Sequence, residues 1–211
     1  THYPQGAEKM LVKLVLNHEV PSGGLPSDVG AAVFNVATLA QIGDLLPRSQ
    51  GLIERVVTIA GDGVAHPGNY LMALGTPLRF ALEHAGLKPG ACEVILGGPM
   101  MGPAVADTNV PITKGVTGIL VLSKEKLSRA DRKEYPCIKC GHCVDACPVH
   151  LNPSRLGLLA RVGMHEEMEK HFHLNDCFEC GSCAYVCPSH IPLVQHFRIA
   201  KQLNRERRAS S

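Results

Sequence analysis

The sequence predicts an α+β fold in which a small mixed sheet, crossed by one helix, is followed by a cysteine-rich helical domain. Short runs of β-branched and aliphatic residues between 54 and 122 are typical of strands. Beyond them, eight of the nine cysteines stand between 137 and 187, among residues with helical spacing. The 211 residues are enough for one large or two small domains. We divide them into three segments, 1–50, 51–125 and 126–211.

The first segment begins with an amphipathic helix. Residues 8–17 place an apolar face opposite two lysines, and this spacing predicts a helix. The predicted face consists of Met10, Leu11, Leu14 and Val15. The glycine- and proline-rich stretch 20–28 that follows is predicted to have no regular structure.

A strand and a second helix are predicted for the rest of this segment. Residues 31–34 have the length and composition of a strand, and 36–46 has helical spacing. Asn35 stands directly before that helix, where its side chain can accept a hydrogen bond from a free backbone N–H group. Such an N-terminus can also bind an anion, although a simple cap is the commoner role.

The second segment carries the predicted sheet. β-Branched residues alternate over 54–60, and the runs 94–96 and 118–122 are apolar, so we predict three strands there. Gly-Asp-Gly at 61–63 predicts a turn after the first strand.

One helix is predicted to cross this sheet. Thr76 followed by Pro77 is typical of an N-cap and a first helical position, and Gly86 is the predicted end of the helix. The glycine-rich loop 97–102 exposes backbone N–H groups but matches neither the P-loop nor GxGxxG, so no nucleotide site is predicted. Cys92 is predicted to be a buried strand thiol that packs as a small apolar side chain.

Two copies of one cysteine pattern dominate the third segment. Residues 137–148 and 177–188 both read CxxCxxCxxxCP. In the bacterial form of this run three closely spaced thiolates bind one cluster and the fourth binds the other, so two runs predict two [4Fe-4S] clusters. The predicted ligands are Cys137, Cys140, Cys143 and Cys187 for cluster 1, and Cys177, Cys180, Cys183 and Cys147 for cluster 2.

Zinc is the main alternative for these cysteines, because paired CxxC hooks are also typical of zinc ribbons. A zinc site needs four ligands from two hooks, whereas eight cysteines here form two identical quartets, each ending in Cys-Pro. Disulfides suit small secreted chains, and we expect this chain to be neither small nor preceded by a signal peptide. The pattern therefore favours clusters, in a reducing compartment.

Helices are predicted around the cysteine runs. Ser154 is predicted to cap a helix that continues to Met164, and further helices are predicted over 166–172 and 193–203. The residues predicted to face inward from the first of these helices are Leu156, Leu158, Leu159 and Val162. The basic tail 201–208 is predicted to be a solvated, fraying end, with docking to an acidic partner or anionic lipid as the alternative.

Three histidines flank the runs, at positions 142, 150 and 190. Each imidazole can hydrogen-bond a cluster sulfide, which raises the reduction potential, but no histidine is needed as a ligand.

Composition argues against nucleic-acid binding and against a membrane-spanning helix. Net charge is +2 and aromatic residues are 4%, without tryptophan, which argues against nucleic-acid binding. No apolar run approaches the roughly 20 residues that a membrane-spanning helix needs.

Several stretches together resemble the C subunit of the Rnf-type electron transport complexes, over essentially the whole chain. They are Tyr3–Lys9, Glu19–Pro26, Asn35–Thr38, Gly97–Gly102 and the paired cysteine runs with their continuation to Val194. The resemblance implies the remnant of a flavin domain like that of the NADH-oxidising subunit of respiratory complex I. It also implies a soluble-ligand-binding (SLBB) β-grasp module and an α-helical ferredoxin-like domain for two [4Fe-4S] clusters.

The same resemblance implies a peripheral subunit on the cytoplasmic side of the inner membrane. It would relay electrons between FMN and NAD(H) and partner subunits, which couple the flow to ferredoxin and to ion translocation. The complex, rather than this chain alone, would be the enzyme. A corrinoid-reductase-like or ligand-binding iron-sulfur flavoprotein is the alternative, and clusters that act only as structural staples are a third.

Four residues fall where the relatives line the flavin pocket, namely Gly6, Glu8, Asn35 and Thr38. Ala37 replaces a glutamate of the complex I pattern. The chain opens at Thr1 without an initiator methionine, and the family's glycine-rich flavin and nucleotide loop would lie upstream. We therefore expect a fragment or processed form that transfers electrons, with FMN and NAD(H) bound by the full-length subunit.

Overall fold

The computed structural model describes residues 3–130 and 133–210. The described residues form two compact units. The sheet unit is Phe34–Arg132, and the cysteine unit combines Thr1–Val33 with Lys133–Ser211. The predicted α+β fold is confirmed. The division into three sequence segments stays a prediction.

A four-stranded mixed sheet forms the centre of the sheet unit, with strand order β2-β1-β4-β3. The strands are β1 (Glu54–Ala60), β2 (Gly68–Ala73), β3 (Ala91–Leu96) and β4 (Gly118–Ser123). β1 pairs antiparallel with β2 and parallel with β4, and β3 pairs antiparallel with β4. The three predicted strands are confirmed, and the edge strand β2 was not predicted.

One helix, α3 (Leu78–His84), packs on this sheet as predicted. Its side chains Leu78 and Leu82 are fully buried against Val57 and Ile119. Each such side chain stabilises the fold by about 1.5–3 kcal/mol. The predicted cap was wrong, because Pro77 occupies the N-cap and the Thr76 hydroxyl donates to the carbonyl of Ala73 at 2.8 Å.

The glycine-rich loop 97–102 uses its backbone N–H groups internally. The Gly97 N–H donates to the Gly118 carbonyl at 2.8 Å, and the Gly102 N–H donates to the Gly98 carbonyl at 2.8 Å. A Cβ atom at Gly102 would lie 2.5 Å from Ile95 Cγ2. Packing therefore explains this glycine, and the open N–H groups expected from the sequence are not found at these two positions.

The helices of the first fifty residues are α1 (Glu8–Leu16) and α2 (Val36–Leu45). Asn35 caps α2 as predicted, since its side chain accepts from the Ala37 N–H at 3.0 Å. The predicted strand over 31–34 was wrong, because that stretch has no regular structure. The stretch 20–28 was predicted to be irregular, but a short 3-10 helix, Pro26–Val29, begins within it.

The predicted apolar face of α1 was partly wrong. Val12 is the buried residue of this helix, whereas Leu14 and Val15 are exposed.

Helices form most of the remaining cysteine unit. They are α5 (His142–Asp145), α6 (Pro153–Arg161), α7 (His165–Lys170), α8 (Ser182–Tyr185) and α9 (Leu193–Ala209), and α4 (Lys124–Ala130) precedes them in the sheet unit. Their core includes Leu156, Met168 and Phe197, which are almost completely buried.

Three predictions for α6 were wrong, namely its cap, its last residue and part of its inward face. Asn152, rather than Ser154, caps the helix by accepting from the Arg155 N–H at 3.0 Å, and the helix ends at Arg161. Leu156 and Leu159 are buried as predicted, but Leu158 and Val162 are exposed.

The tail prediction was also wrong. α9 continues to Ala209, so 201–208 is helical. The helix is fixed to α7 by ion pairs of 2.6 Å from Arg207 to Glu166 and from Arg208 to Glu169. Within the described ranges no helix is long and apolar enough to span a membrane. The Cys92 side chain, for which burial was predicted, lies outside the described part of the structure.

Candidate functional site

The two cysteine runs fold as copies of one loop. In each run the residue before the second cysteine, the glycine after it, and the histidine after the Cys-Pro pair have left-handed backbone conformations. Their φ angles are 57° and 61° at Lys139 and Glu179, 86° and 85° at Gly141 and Gly181, and 54° and 53° at His150 and His190. A one-turn helix, α5 or α8, follows each glycine. The repeat seen in the sequence is therefore also a repeat of backbone conformation.

The first predicted ligand set surrounds one pocket. Cys137, Cys140, Cys143 and Cys187 all line it, together with residues of α6. Its empty volume, including the open mouth, is about 510 Å³. Three of these cysteines come from the first run and one from the second.

The second predicted ligand set surrounds another pocket, with three cysteines from the second run and one from the first. Cys177, Cys180, Cys183 and Cys147 line it, and its empty volume is about 350 Å³. The fold thus brings together the two crossed sets expected from the sequence. The assignment of these thiols as ligands stays a prediction.

The donor chemistry of both pockets fits a cluster better than a single zinc ion. Zinc takes four thiolates at about 2.3 Å, which leaves no open space between the sulfur atoms. Among the residues that the structure describes, no group of three or more His, Cys, Asp or Glu side chains is arranged to hold a single metal ion. Four thiols at each pocket, three from one CxxCxxC run and the fourth from the other run, instead match the Cys₄ ligation of paired [4Fe-4S] clusters.

Burial strongly affects the thiols. It raises the pKa of Cys183 to about 12, with a further contribution from the neighbouring Cys177, Cys180 and Cys147. Burial also raises the pKa of Cys143 and of Cys177. Because metal ligation needs thiolates, cluster binding must release these protons.

A charged network supports the second loop. Burial alone would raise the pKa of the Glu179 carboxyl. Hydrogen bonds from Lys201 and Arg198 oppose this effect, so that the pKa is lowered overall. Lys201 Nζ and Arg198 Nε each lie 2.9 Å from a Glu179 oxygen. Lys201 also donates to the carbonyl of Cys177. Sequence reasoning missed this network because Lys201 lies in the tail that we expected to be solvated.

The N-terminal residues contact the same loop. The Tyr3 hydroxyl donates to the Cys180 carbonyl at 2.5 Å. Asp176, directly before the second run, accepts from Ser22 Oγ at 2.5 Å and from the Gly23 N–H at 3.2 Å. These bonds connect residues more than 150 positions apart, so no local pattern could have indicated them.

The predicted flavin residues lie in both units. Gly6 and Glu8 belong to the cysteine unit, and Asn35 and Thr38 belong to the sheet unit. Space is open beside Gly6, where an added Cβ would have no atom within 4 Å. The Asn35 side chain caps α2. A role for the four in flavin binding stays a prediction.

The flanking histidines occupy equivalent positions in the repeat. The N–H groups of His150 and His190 donate to the carbonyls of Cys147 and Cys187, at 3.2 and 3.1 Å. His142 is the first residue of α5. Hydrogen bonds from their imidazoles to cluster sulfides stay predictions.

Three family models match successive parts of the chain. Residues 1–44 match the Nuo51 FMN-binding domain. Residues 56–104 match the SLBB domain, and residues 134–191 match the 4Fe-4S dicluster domain. These descriptions agree with the three parts that the resemblance implied.

Curated relatives match nearly the whole chain. Identity is 48% over 206 residues to the C subunit of the proton-translocating ferredoxin:NAD(+) oxidoreductase complex of Clostridium ljungdahlii, covering 97% of this chain and 45% of that protein. Identity is 44% over 209 residues to the C subunit of the ion-translocating oxidoreductase complex of Pseudomonas aeruginosa, covering 99% of this chain and 27% of that protein. Identity is 44% over 202 residues to the protein of the same name from Erwinia tasmaniensis, covering 95% of this chain and 25% of that protein. The chain therefore spans between a quarter and a half of the length of these relatives.

Proposed function

Because this chain is a homologue of part of the C subunit of the ion-translocating oxidoreductase complexes, we propose that it relays electrons through two [4Fe-4S] clusters. The single observation that carries this proposal is the crossed arrangement of eight cysteines around two pockets. Each run contributes to both sites, so the two sites must lie next to each other. Adjacent sites are what a relay requires.

The residues of the chain have distinct tasks in this proposal. A bound cluster supplies reversible one-electron transfer at a potential that its surroundings set. The eight thiolates hold the clusters, and the burial of Cys143, Cys180 and Cys183 keeps water from the sulfur atoms. Lys201 fixes the Cys177 carbonyl and balances the charge of Glu179 beside the second site.

We extend the proposal to the full-length subunit. It binds FMN and NAD(H), lies peripherally on the cytoplasmic side of the membrane, and works with partner subunits that couple electron flow to ferredoxin and ion translocation. The match of residues 1–44 to an FMN-binding domain and the names of the relatives support this extension. The same names support the relay over the corrinoid-reductase alternative.

Anaerobic purification followed by metal analysis and redox titration tests the proposal. We expect about eight irons and eight sulfides per chain and two reversible one-electron reductions in EPR. Colourless protein with zinc would contradict the cluster assignment. Iron-loaded protein without reversible reduction would show that the clusters are only structural.

A further inference from the structure

The two cysteine loops have the same backbone but opposite exposure. In the first loop Ile138 is 67% exposed and Cys140 is also exposed. In the second loop Cys180, the counterpart of Cys140, is only 9% exposed. Tyr3 and Lys201 bind the backbone of the second loop, at the carbonyls of Cys180 and Cys177. Other parts of the same unit therefore cover the second loop and leave the first one open.

The open loop continues into a mixed apolar and cationic surface. We define the first-loop face as the exposed residues Ile138, Lys139, Leu158, Arg161 and Val162. Leu158 and Val162 are four residues apart at the end of α6, so they lie on one side of it. Both are exposed, at 41% and 68%. Ile138 and Leu158 thus line the first pocket, and Val162 extends the exposed apolar surface to the end of α6.

The described ion pairs leave one net positive charge on this face, at Lys139. Lys139 and Arg161 line the first pocket, and no carboxylate appears among its described lining residues. Glu134 pairs with Arg161 at 3.6 Å, which leaves the charge of Lys139 uncompensated by any described ion pair. The second loop differs, because Glu179 replaces Lys139 there and is neutralised by Arg198 and Lys201.

We propose that the first-loop face is the docking surface for an electron-transfer protein domain that presents an apolar centre ringed by aspartate and glutamate. The proposal rests on the relay function given above. Electron exchange needs close approach to a cluster, and the first loop is the more exposed of the two. Interfaces of transient redox partners are small, and complementary charges set their orientation and association rate. The charge of Lys139 beside an apolar centre favours an acidic partner.

Site-specific photo-crosslinking in the membrane-bound complex tests this surface. The full-length protein carries the photo-crosslinker p-benzoylphenylalanine at position 138. A matched control carries it at position 199, because Ile199 is 54% exposed on α9 and lies outside the first-loop face. We expect the probe at 138 to crosslink a cofactor-carrying polypeptide within a segment rich in Asp and Glu. The yield falls with rising salt, as expected for a charged contact.

Charge reversal sharpens the test. Lys139→Glu lowers the crosslinking yield at position 138 by roughly tenfold, as loss of a charge-complementary contact predicts. Lys114→Glu, at an exposed lysine of the sheet unit, leaves the yield unchanged. Crosslinks at 138 only to lipid or to a second copy of the same protein, equal products from 138 and 199, or no product at 138, would each overturn the proposal.

Iron analysis separates the two proposals. If all variants contain about eight irons per chain but position 138 behaves like position 199, the docking surface is wrong and the relay stands. If the unmodified protein lacks iron, the relay itself fails.

Discussion

The Tyr3 hydroxyl lies 2.5 Å from the carbonyl oxygen of Cys180, a residue 177 positions further along the chain. Tyr3 belongs to the stretch that matches an FMN-binding domain, and Cys180 belongs to the second cysteine loop. Ser22 and Gly23 add hydrogen bonds to Asp176 beside the same loop. The N-terminal residues therefore hydrogen-bond the loop that surrounds the second predicted cluster.

The Tyr3 bond predicts a site-specific loss of stability. Tyr3→Phe leaves the Cys180 carbonyl without this donor, and we expect the free energy of unfolding to fall by about 1 kcal/mol. Iron should also leave the second site faster than it does in the unmodified protein, with release from the first site unchanged. Chelator-driven iron release and urea unfolding measure the two effects. Tyr185→Phe, at a tyrosine that is 79% exposed, is the matched control and should change neither quantity.

Replacing Lys201 of α9 should destabilise the fold more than replacing Tyr3. Its side chain is 11% exposed and bonds both Glu179 and the Cys177 carbonyl. Lys201→Met removes this donor from the Cys177 carbonyl and leaves Glu179 with Arg198 alone, so it should lower the free energy of unfolding by about 1–3 kcal/mol. Arg208→Gln removes an ion pair to Glu169 in which the arginine side chain is 56% exposed, and it should cost less than about 1 kcal/mol. Equal losses in urea unfolding would show that Lys201 has no special role.

Asp62 predicts an acid-sensitive sheet unit. Its carboxylate accepts from Ser123 Oγ at 2.5 Å and from the Ser123 N–H at 3.2 Å. The hydrogen bond from the Ser123 side chain is the main reason that the pKa of Asp62 is lowered. A lowered pKa stabilises the fold above the unfolded value of about 3.9, and this contribution is lost as the pH falls through the folded pKa.

Thermal unfolding between neutral and acid pH measures this contribution. Asp62→Asn and Ser123→Ala should each flatten the fall in melting temperature below about pH 4. The two variants should not add, because they remove the same interaction. An unchanged acid profile in both variants would contradict the assignment.

Arg55 predicts a stabilising substitution. It is 4% exposed on β1, and among the described residues its Nε has no hydrogen-bond partner. A buried unsatisfied donor costs about 1–3 kcal/mol, so Arg55→Met should raise the free energy of unfolding by about 1 kcal/mol. Arg79→Met, at an exposed arginine of α3, should change it by less than about 0.5 kcal/mol. A fall in stability for Arg55→Met would instead indicate a partner for this guanidinium.

Local patterns predicted the parts of the fold that depend on local sequence. Alternating residues predicted β1, where Val57 and Ile59 are fully buried, and Asn35 predicted the start of α2. β2 was missed because it is an edge strand whose Leu71 is 62% exposed, and its pairing is determined by β1. Arg55 shows the same limit, since it occupies a buried position of an otherwise regular alternation.

Long-range contacts explain the remaining differences. The charged residues of 201–208 look solvated when they are read alone, but α9 packs along α7. Asn204 is 2% exposed there and donates to the His165 carbonyl at 2.8 Å. The cysteine sets could be expected because their spacing is typical of one ligation pattern. The contacts that cover one loop and leave the other open depend on residues far away in the chain.

The crossed membership of the two pockets predicts that ligands from opposite runs fail together. Cys187 lies 50 positions after Cys137 in the chain, yet both residues line the first pocket. We therefore expect Cys187→Ser to alter the same EPR signal as Cys137→Ser, and Cys147→Ser to alter the signal that Cys177→Ser alters. Serine retains a weaker oxygen ligand, so the affected cluster should shift in potential or be lost while the other persists. If Cys187→Ser instead changed the signal shared with Cys177→Ser, each run would bind its own cluster, and the two sites would no longer be joined by shared loops.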